Sequence, residues 1–148
     1  MQNLIFESDF NKARKKIRES TGEIIFSSND DEFNMKILEK ENIHVLLINQ
    51  AGRKDFQKQR NSGFNQVLAK IAKKKNVVIG INFDEILSST PKKQAEVLAR
   101  IKQNIKICNK NKIKMKFIPL SKSSERNVYD LRALGLVLGM PTWMASAL

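Results

Sequence analysis

Two cations sit where an apolar run stops. Val45-Leu46-Leu47-Ile48 is an unbroken apolar stretch of the kind shown by a parallel strand covered on both faces, and a short polar gap separates it from Gly52-Arg53-Lys54-Asp55. A guanidinium placed there can fork onto a phosphate, and the neighbouring ammonium adds a point charge. Lys58 and Arg60 follow in the same loop. A second polar loop, after the apolar run 113–120, carries Ser121, Lys122, Ser123, Ser124 and Arg126, whose hydroxyls and cations can donate to the same anion. Carboxylates recur at the equivalent points of the chain: Glu7, Asp9, Asp30, Asp31, Asp55 and Asp84. Gathered together they would form an acidic ring able to hold Mg²⁺. Taken singly, Asp9 and Asp30 cap the helices they precede, and Asp55 is an ion-pair partner for Arg53 or Lys54. His44 is the only histidine and Cys108 the only cysteine. An imidazole-rich metal centre and an internal disulfide are therefore excluded. A histidine-activated nucleophile is not expected either, because His44 precedes its strand and lies at the opposite end from the loops that would hold the nucleophile, and both residues read as structural.

The elements that must position these residues follow from the apolar spacing. Runs at 3–6, 23–27, 43–49, 76–83, 113–120 and 135–140 predict six strands, with helical spacing in the five segments between them. Phe10, Ala13 and Ile17 form one helical stripe; Phe33, Ile37 and Leu38 a second, entered through Asp30; Phe64, Val67, Leu68 and Ile71 a third. Thr90 and Pro91 open a fourth, which buries Leu98, Ile101, Ile105 and Cys108. Ser124 is expected to cap the fifth, with Val128, Leu131 and Leu134 inward and Gly135 at its end. Trp143 and the tail after it read as a short packing helix. Alternating β and α units over 1–148 predict one α/β domain with a parallel sheet, either a (β/α) barrel-like fold reduced to about six strands or an open doubly wound sheet. In both, ligands meet the carboxyl ends of the strands, where Arg53, Lys54 and the serine loop lie.

Twenty-seven Lys and Arg against fifteen Asp and Glu give a net charge of +12 and a pI near 10.0. Polyanions are the expected partners, nucleic acid first among them, against the plainer reading of a solvated lysine-rich surface. One Tyr and one Trp do not make the interleaved aromatic and basic surface that stacks unpaired bases, so contacts to the backbone of a structured RNA fit better than sequence readout. Acidic residues interrupt the amino end, and no apolar run approaches ~18 residues, so neither a leader nor a membrane span is expected and the chain reads as cytoplasmic.

Three blocks carry a family likeness. The first is Gly52-Arg53-Lys54-Asp55, then Ser62-Gly63-Phe64-Asn65 and Val67-Leu68-Ala69-Lys70 before the strand that ends near Gly80. The second is Phe117 with Ser121, Ser123, Ser124 and Arg126; the third is Asp130-Leu131-Arg132-Ala133-Leu134-Gly135 into Leu138-Gly139-Met140. In order and spacing they resemble component 3 of ribonuclease P, its TIM-barrel-like protein subunit. Residues 56–61 are inserted relative to the family's tight junction, and two opening strands of the family have no counterpart before Leu4. The resemblance implies a non-catalytic subunit that supports the catalytic RNA in removing the 5′ leader of precursor tRNA. Its partners would be the catalytic domain of the RNA, the small component 2 and the other protein subunits, with precursor tRNA met indirectly. No cofactor would be bound by the chain itself, Mg²⁺ belonging to the RNA-catalysed reaction. Arg53, Lys54, Lys58, Arg60, Lys122 and Arg126, with Ser121, Ser123 and Ser124, are the candidate RNA contacts. The edge Leu4-Ile5-Phe6 is expected to be covered, by component 2 or by a homodimer. A stand-alone Mg²⁺-dependent phosphoesterase on a reduced barrel and a generic basic RNA-binding module are the alternatives.

Overall fold

In the computed structural model, residues 2–148 are described. Five strands, β1 (Gln2–Phe6), β2 (Glu23–Ser27), β3 (Val45–Ile48), β4 (Val78–Asn82) and β5 (Met115–Ile118), form one parallel sheet. Their spatial order is their chain order, β1-β2-β3-β4-β5. A doubly wound sheet reverses direction part-way; this one does not, so every right-handed crossover lays its helix on the same face, as in a barrel.

The helices are α1 (Phe10–Glu19), α2 (Asp31–Lys40), α3 (Gln66–Lys75), α4 (Phe83–Ser88), α5 (Pro91–Asn111), α6 (Val128–Val137) and α7 (Thr142–Ser146), with a 3₁₀ turn at Lys122–Ser124. The period of two along each strand splits the core. Ile24, Phe26, Leu46, Ile48, Ile79 and Phe117 face the helices, in the same cluster as Ala13, Ile37, Leu68 and Ile105. Ile25, Val45, Leu47 and Ile118 form a second cluster on the other face, made of strand residues alone. Lys116 of β5 reaches Glu23 of β2 at 3.3 Å across that face, which registers how strongly the sheet is curled. Among the described residues no helix is long and apolar enough to cross a membrane.

Asp9 and Asp30 cap α1 and α2 as expected, accepting from the N–H of Lys12 and of Glu32 and Phe33. Thr90 and Pro91 open α5, although the Thr90 hydroxyl makes no capping bond. Other expectations need correction. Among the described residues there are five strands rather than six, because 135–140 is the end of α6 and the turn after it. Gly135 lies inside the helix, facing Met140, and the terminating residue is Gly139, whose φ of +102° suits only glycine well. Asn127 caps α6 in place of Ser124. Val67 and Val128, expected to face the core, face solvent in the first turns of α3 and α6. α7 is the short packing helix expected around Trp143, whose Nε1 donates to Asn109 at 3.1 Å. His44 is structural: its Nδ1 accepts from the Ile24 N–H at 3.0 Å. Cys108 is fully buried in α5, and burial pushes its thiol far above the ordinary range.

Candidate nucleic-acid interface

The loop after β3 is held from inside by an arginine of α5. Val97, Ile101 and Ile105 put that side of α5 against the sheet, and Arg100 shares it, 3% exposed. Its Nη1 donates to the Gln50 carbonyl at 3.0 Å, its Nη2 to the Arg53 carbonyl at 2.9 Å, and its Nε to Asp55 Oδ1 at 2.9 Å. Asp55 also takes Arg60 at 2.8 Å and the Asn61 N–H at 3.0 Å. The hydrogen bond from Arg100 leads the effects that hold the Asp55 carboxyl below its usual range. Asp55 thus pairs with Arg100 and Arg60, and not with Arg53 or Lys54.

Arg53 is turned inward, its side chain 11% exposed. Nη1 and Nη2 grip both oxygens of Asp31 at 2.7 and 2.8 Å, the bidentate fork geometry, while Nε donates to the Asn49 carbonyl at 2.7 Å. Gly63 makes room for it. A Cβ there would stand 2.8 Å from Arg53 Cζ and 2.9 Å from Ile48 Cγ2, and the φ of +71° independently favours glycine. Lys54, next in the chain, is exposed and pairs with no carboxylate among the described residues. Asn29, Asp31, Asn49, Gly52, Arg53 and Lys54 border a depression of about 450 Å³ at this end of the sheet.

Residues 56–61, expected as an insertion, are tied to α5. Gln103 of α5 donates to the Arg60 carbonyl at 2.9 Å and to Ser62 Oγ at 3.1 Å, and Gln50 and Asn104 both donate to the Ser62 carbonyl. Lys58 is exposed within this segment. Beneath the loops, Asn82 donates to Asn49 at 2.8 Å and Asn49 to Ser27 at 3.0 Å, a polar rung across three strand ends. Glu85 accepts from the Gln50 N–H at 2.7 Å, and burial raises its carboxyl against that bond.

The serine loop is anchored on Asp84. Ser121 Oγ donates to Asp84 Oδ2 at 3.0 Å, the Leu120 N–H to Oδ1 at 2.9 Å, and Ser124 Oγ to the Ser121 carbonyl at 2.8 Å. Partial burial would raise the Asp84 carboxyl, but these donors win and hold it low. Ser123 and Lys122 are exposed, and Arg126 returns Nη1 to the carbonyls of Ser123 and Glu125, both at 2.9 Å. The proposed acidic ring is thereby divided. Asp9 and Asp30 cap helices, Glu7 pairs with Lys16, Asp31 with Arg53, Asp55 with Arg100, and Asp84 holds the serine loop. Among the described residues no three acidic, histidine or cysteine side chains converge as metal ligands.

The sequence gives no role to Arg100 or to the Ser27-Asn49-Asn82 rung, places Asp31 only in an acidic ring, and marks Gly63 only through the family likeness. One signal was available for Arg100: it is a lone cation on the otherwise apolar side of a helix, and such a charge must find partners inside.

No family model matches the chain. It is similar to ribonuclease P protein component 3 of Methanococcus maripaludis, with 22% identity over 142 residues, covering 96% of this chain and 57% of the relative. The same protein of Methanocaldococcus jannaschii is 28% identical over 124 residues, covering 80% and 50%. The chain therefore spans little more than half the length of the curated relatives it matches. Among solved structures, a chain of a cryo-EM structure of archaeal ribonuclease P with mature tRNA superimposes with a TM-score of 0.81 at 24% identity, covering 98% of this chain and 62% of that one, a likeness of fold. The resemblance read from the three sequence blocks is matched by relatives of that name along nearly the whole chain.

Proposed function

We propose that this chain, related to ribonuclease P protein component 3 over almost all of its length, is a protein subunit of a ribonuclease P that supports a catalytic RNA in removing the 5′ leader of precursor tRNA. The observation that carries the reading is the alignment with component 3 over 96% of the chain. The geometry agrees with a supporting role. Glu7, Asp9, Asp30, Asp31, Asp55 and Asp84 each have a structural partner, whereas Lys54, Lys58 and Lys122 are exposed at the same end of the sheet. In this reading those lysines and Arg126 meet phosphates, Ser123 donates at the same surface, and Arg53, Arg60, Ser121 and Ser124 hold the loops that present them. Cleavage, and the Mg²⁺ it needs, belong to the RNA.

The partners follow from the same reading: the catalytic domain of the RNA, component 2, the remaining subunits and, through them, precursor tRNA. The test is reconstitution from the RNA, component 2 and this chain. Leader removal should rise when the chain is added, and the chain should co-purify with the RNA. Unchanged cleavage together with no retained RNA would refute the reading, and Mg²⁺-dependent phosphoesterase activity of the chain alone would replace it.

A further inference from the structure

The net charge of this protein is lopsided. Residues 1–55 contain nine Lys and Arg against ten Asp and Glu, and residues 56–148 contain eighteen against five. The first 55 residues are thus close to neutral and the remaining 93 carry all of the excess. Within it, α3 and α5 pack side by side, joined by Asn111 to Gln66 at 2.9 Å and by Lys73 to the Lys112 carbonyl at 3.0 Å. Glu96 is the only acid in these two helices.

The two kinds of cation are used differently. Among the described residues, five of the seven arginines, Arg14, Arg18, Arg53, Arg60 and Arg100, pair with carboxylates, but only Lys16 and Lys116 of twenty lysines do. Two lysines of α3 are also occupied: Lys73 as above, and Lys75, which donates to the carbonyls of Leu38, Glu39 and Glu41 and closes the end of α2. Apart from Lys92 and Lys93 in the first turn of α5, that leaves Lys70 and Lys74 on the exposed side of α3, Lys102, Lys106 and Lys110 on that of α5, and Lys114 at the turn into β5. The α5 lysines recur every four residues, which places them about 6 Å apart along one side of the helix.

We infer that the exposed side of α3 and α5 is a second RNA-binding face, which grips the phosphate backbone of a structured RNA through Lys70, Lys74, Lys102, Lys106, Lys110 and Lys114. The inference deepens the function proposed above and rests on it for the identity of the RNA. Ammonium groups are point charges without the fork that selects a particular geometry, so the face contributes affinity rather than sequence preference. An anionic membrane fits less well, because surface-bound helices set several large apolar residues beside their lysines, whereas Val67 of α3 is the single large apolar residue exposed on these two helices.

The test uses the full chain and two variants that lose equal charge. K102Q/K106Q/K110Q acts on α5, and K12Q/K15Q/K40Q acts on exposed lysines of α1 and α2; glutamine keeps helix propensity, and circular dichroism confirms folding. Binding is measured from 50 to 200 mM salt to a labelled ribonuclease P RNA transcript, to an unrelated RNA hairpin of the same length, and to phosphatidylserine vesicles. The α5 variant should lose roughly tenfold or more in RNA affinity, with a log–log salt slope shallower by about 2, while the α1/α2 variant changes slope by less than about 1. Equal losses in both variants, or no loss in the α5 variant, would overturn the face. Vesicle binding tighter than RNA binding and abolished in the α5 variant would overturn the choice of RNA. If the wild type holds both RNAs equally and the α5 variant loses both, the face stands and the ribonuclease P reading fails.

Discussion

Arg100 is the residue on which the strand-end loop depends. Replacing it by methionine fills similar space but leaves the Gln50 and Arg53 carbonyls without a donor, at a cost of about 2–4 kcal/mol for unpaired buried groups. Urea unfolding should show that loss, and amide exchange should speed up between residues 52 and 62. Gly63→Ala should cost about 2–3 kcal/mol, combining strain at φ +71° with displacement of Arg53, and should restore exposure of that guanidinium. A crystal structure with the Arg53–Asp31 fork intact would refute this account. The carboxylates set the pH response. Lys16 holds Glu7 down to about 2, and Asp55 and Asp84 are also depressed, so their contribution is complete above the unfolded values of about 3.9–4.3 and is lost as pH falls through the folded ones. Glu85, raised by burial, acts in the opposite sense, its burden easing as pH falls through its own folded value. The urea midpoint should therefore fall between about pH 4 and 2, with a shallower limb in Arg100→Met. The cations at the strand end were legible in the sequence because charge stands out beside an apolar run. Which of them face outward was not, because Asp31 and Arg100 lie 22 and 47 residues away from Arg53 and are brought to it only by the fold.

At the scale of elements, the two edges of the sheet differ. β5 is flanked by Lys114 and Pro119 and carries Lys116, devices that discourage further pairing. β1, Gln2-Asn3-Leu4-Ile5-Phe6, has no charge and no proline, and exposes Leu4 at 48% and Phe6 at 56%. Such an edge accepts another strand readily, which supports covering by component 2 or by a second copy. Light scattering at micromolar concentration should show self-association that is lost in L4K/F6K; a strict monomer would refute the homodimer. Five of the six strands were readable because three or four apolar residues between polar turns have few other homes. The sixth was not, since Leu136-Val137-Leu138 has no period to separate strand from helix. Tertiary packing decided it: Leu134 and Leu138 reach the core while Leu136 and Val137 are left outside.

For the molecule as a whole, the order of strands has a consequence for how it is made. Each strand pairs with the one before it, and even the widest gap, from Ile79 to Met115, is bridged by one local unit containing α4 and α5. No strand waits for a distant one, which keeps loop-closure costs low for a parallel sheet. A chain leaving the ribosome amino end first can therefore add each βα unit to an edge already standing, so β1, β2 and β3 can be paired before the lysines of α5 have been synthesised. The near-neutral amino-terminal part would collapse first. The strongly charged remainder would then assemble on a finished template, its mutual repulsion met by a sheet already in place.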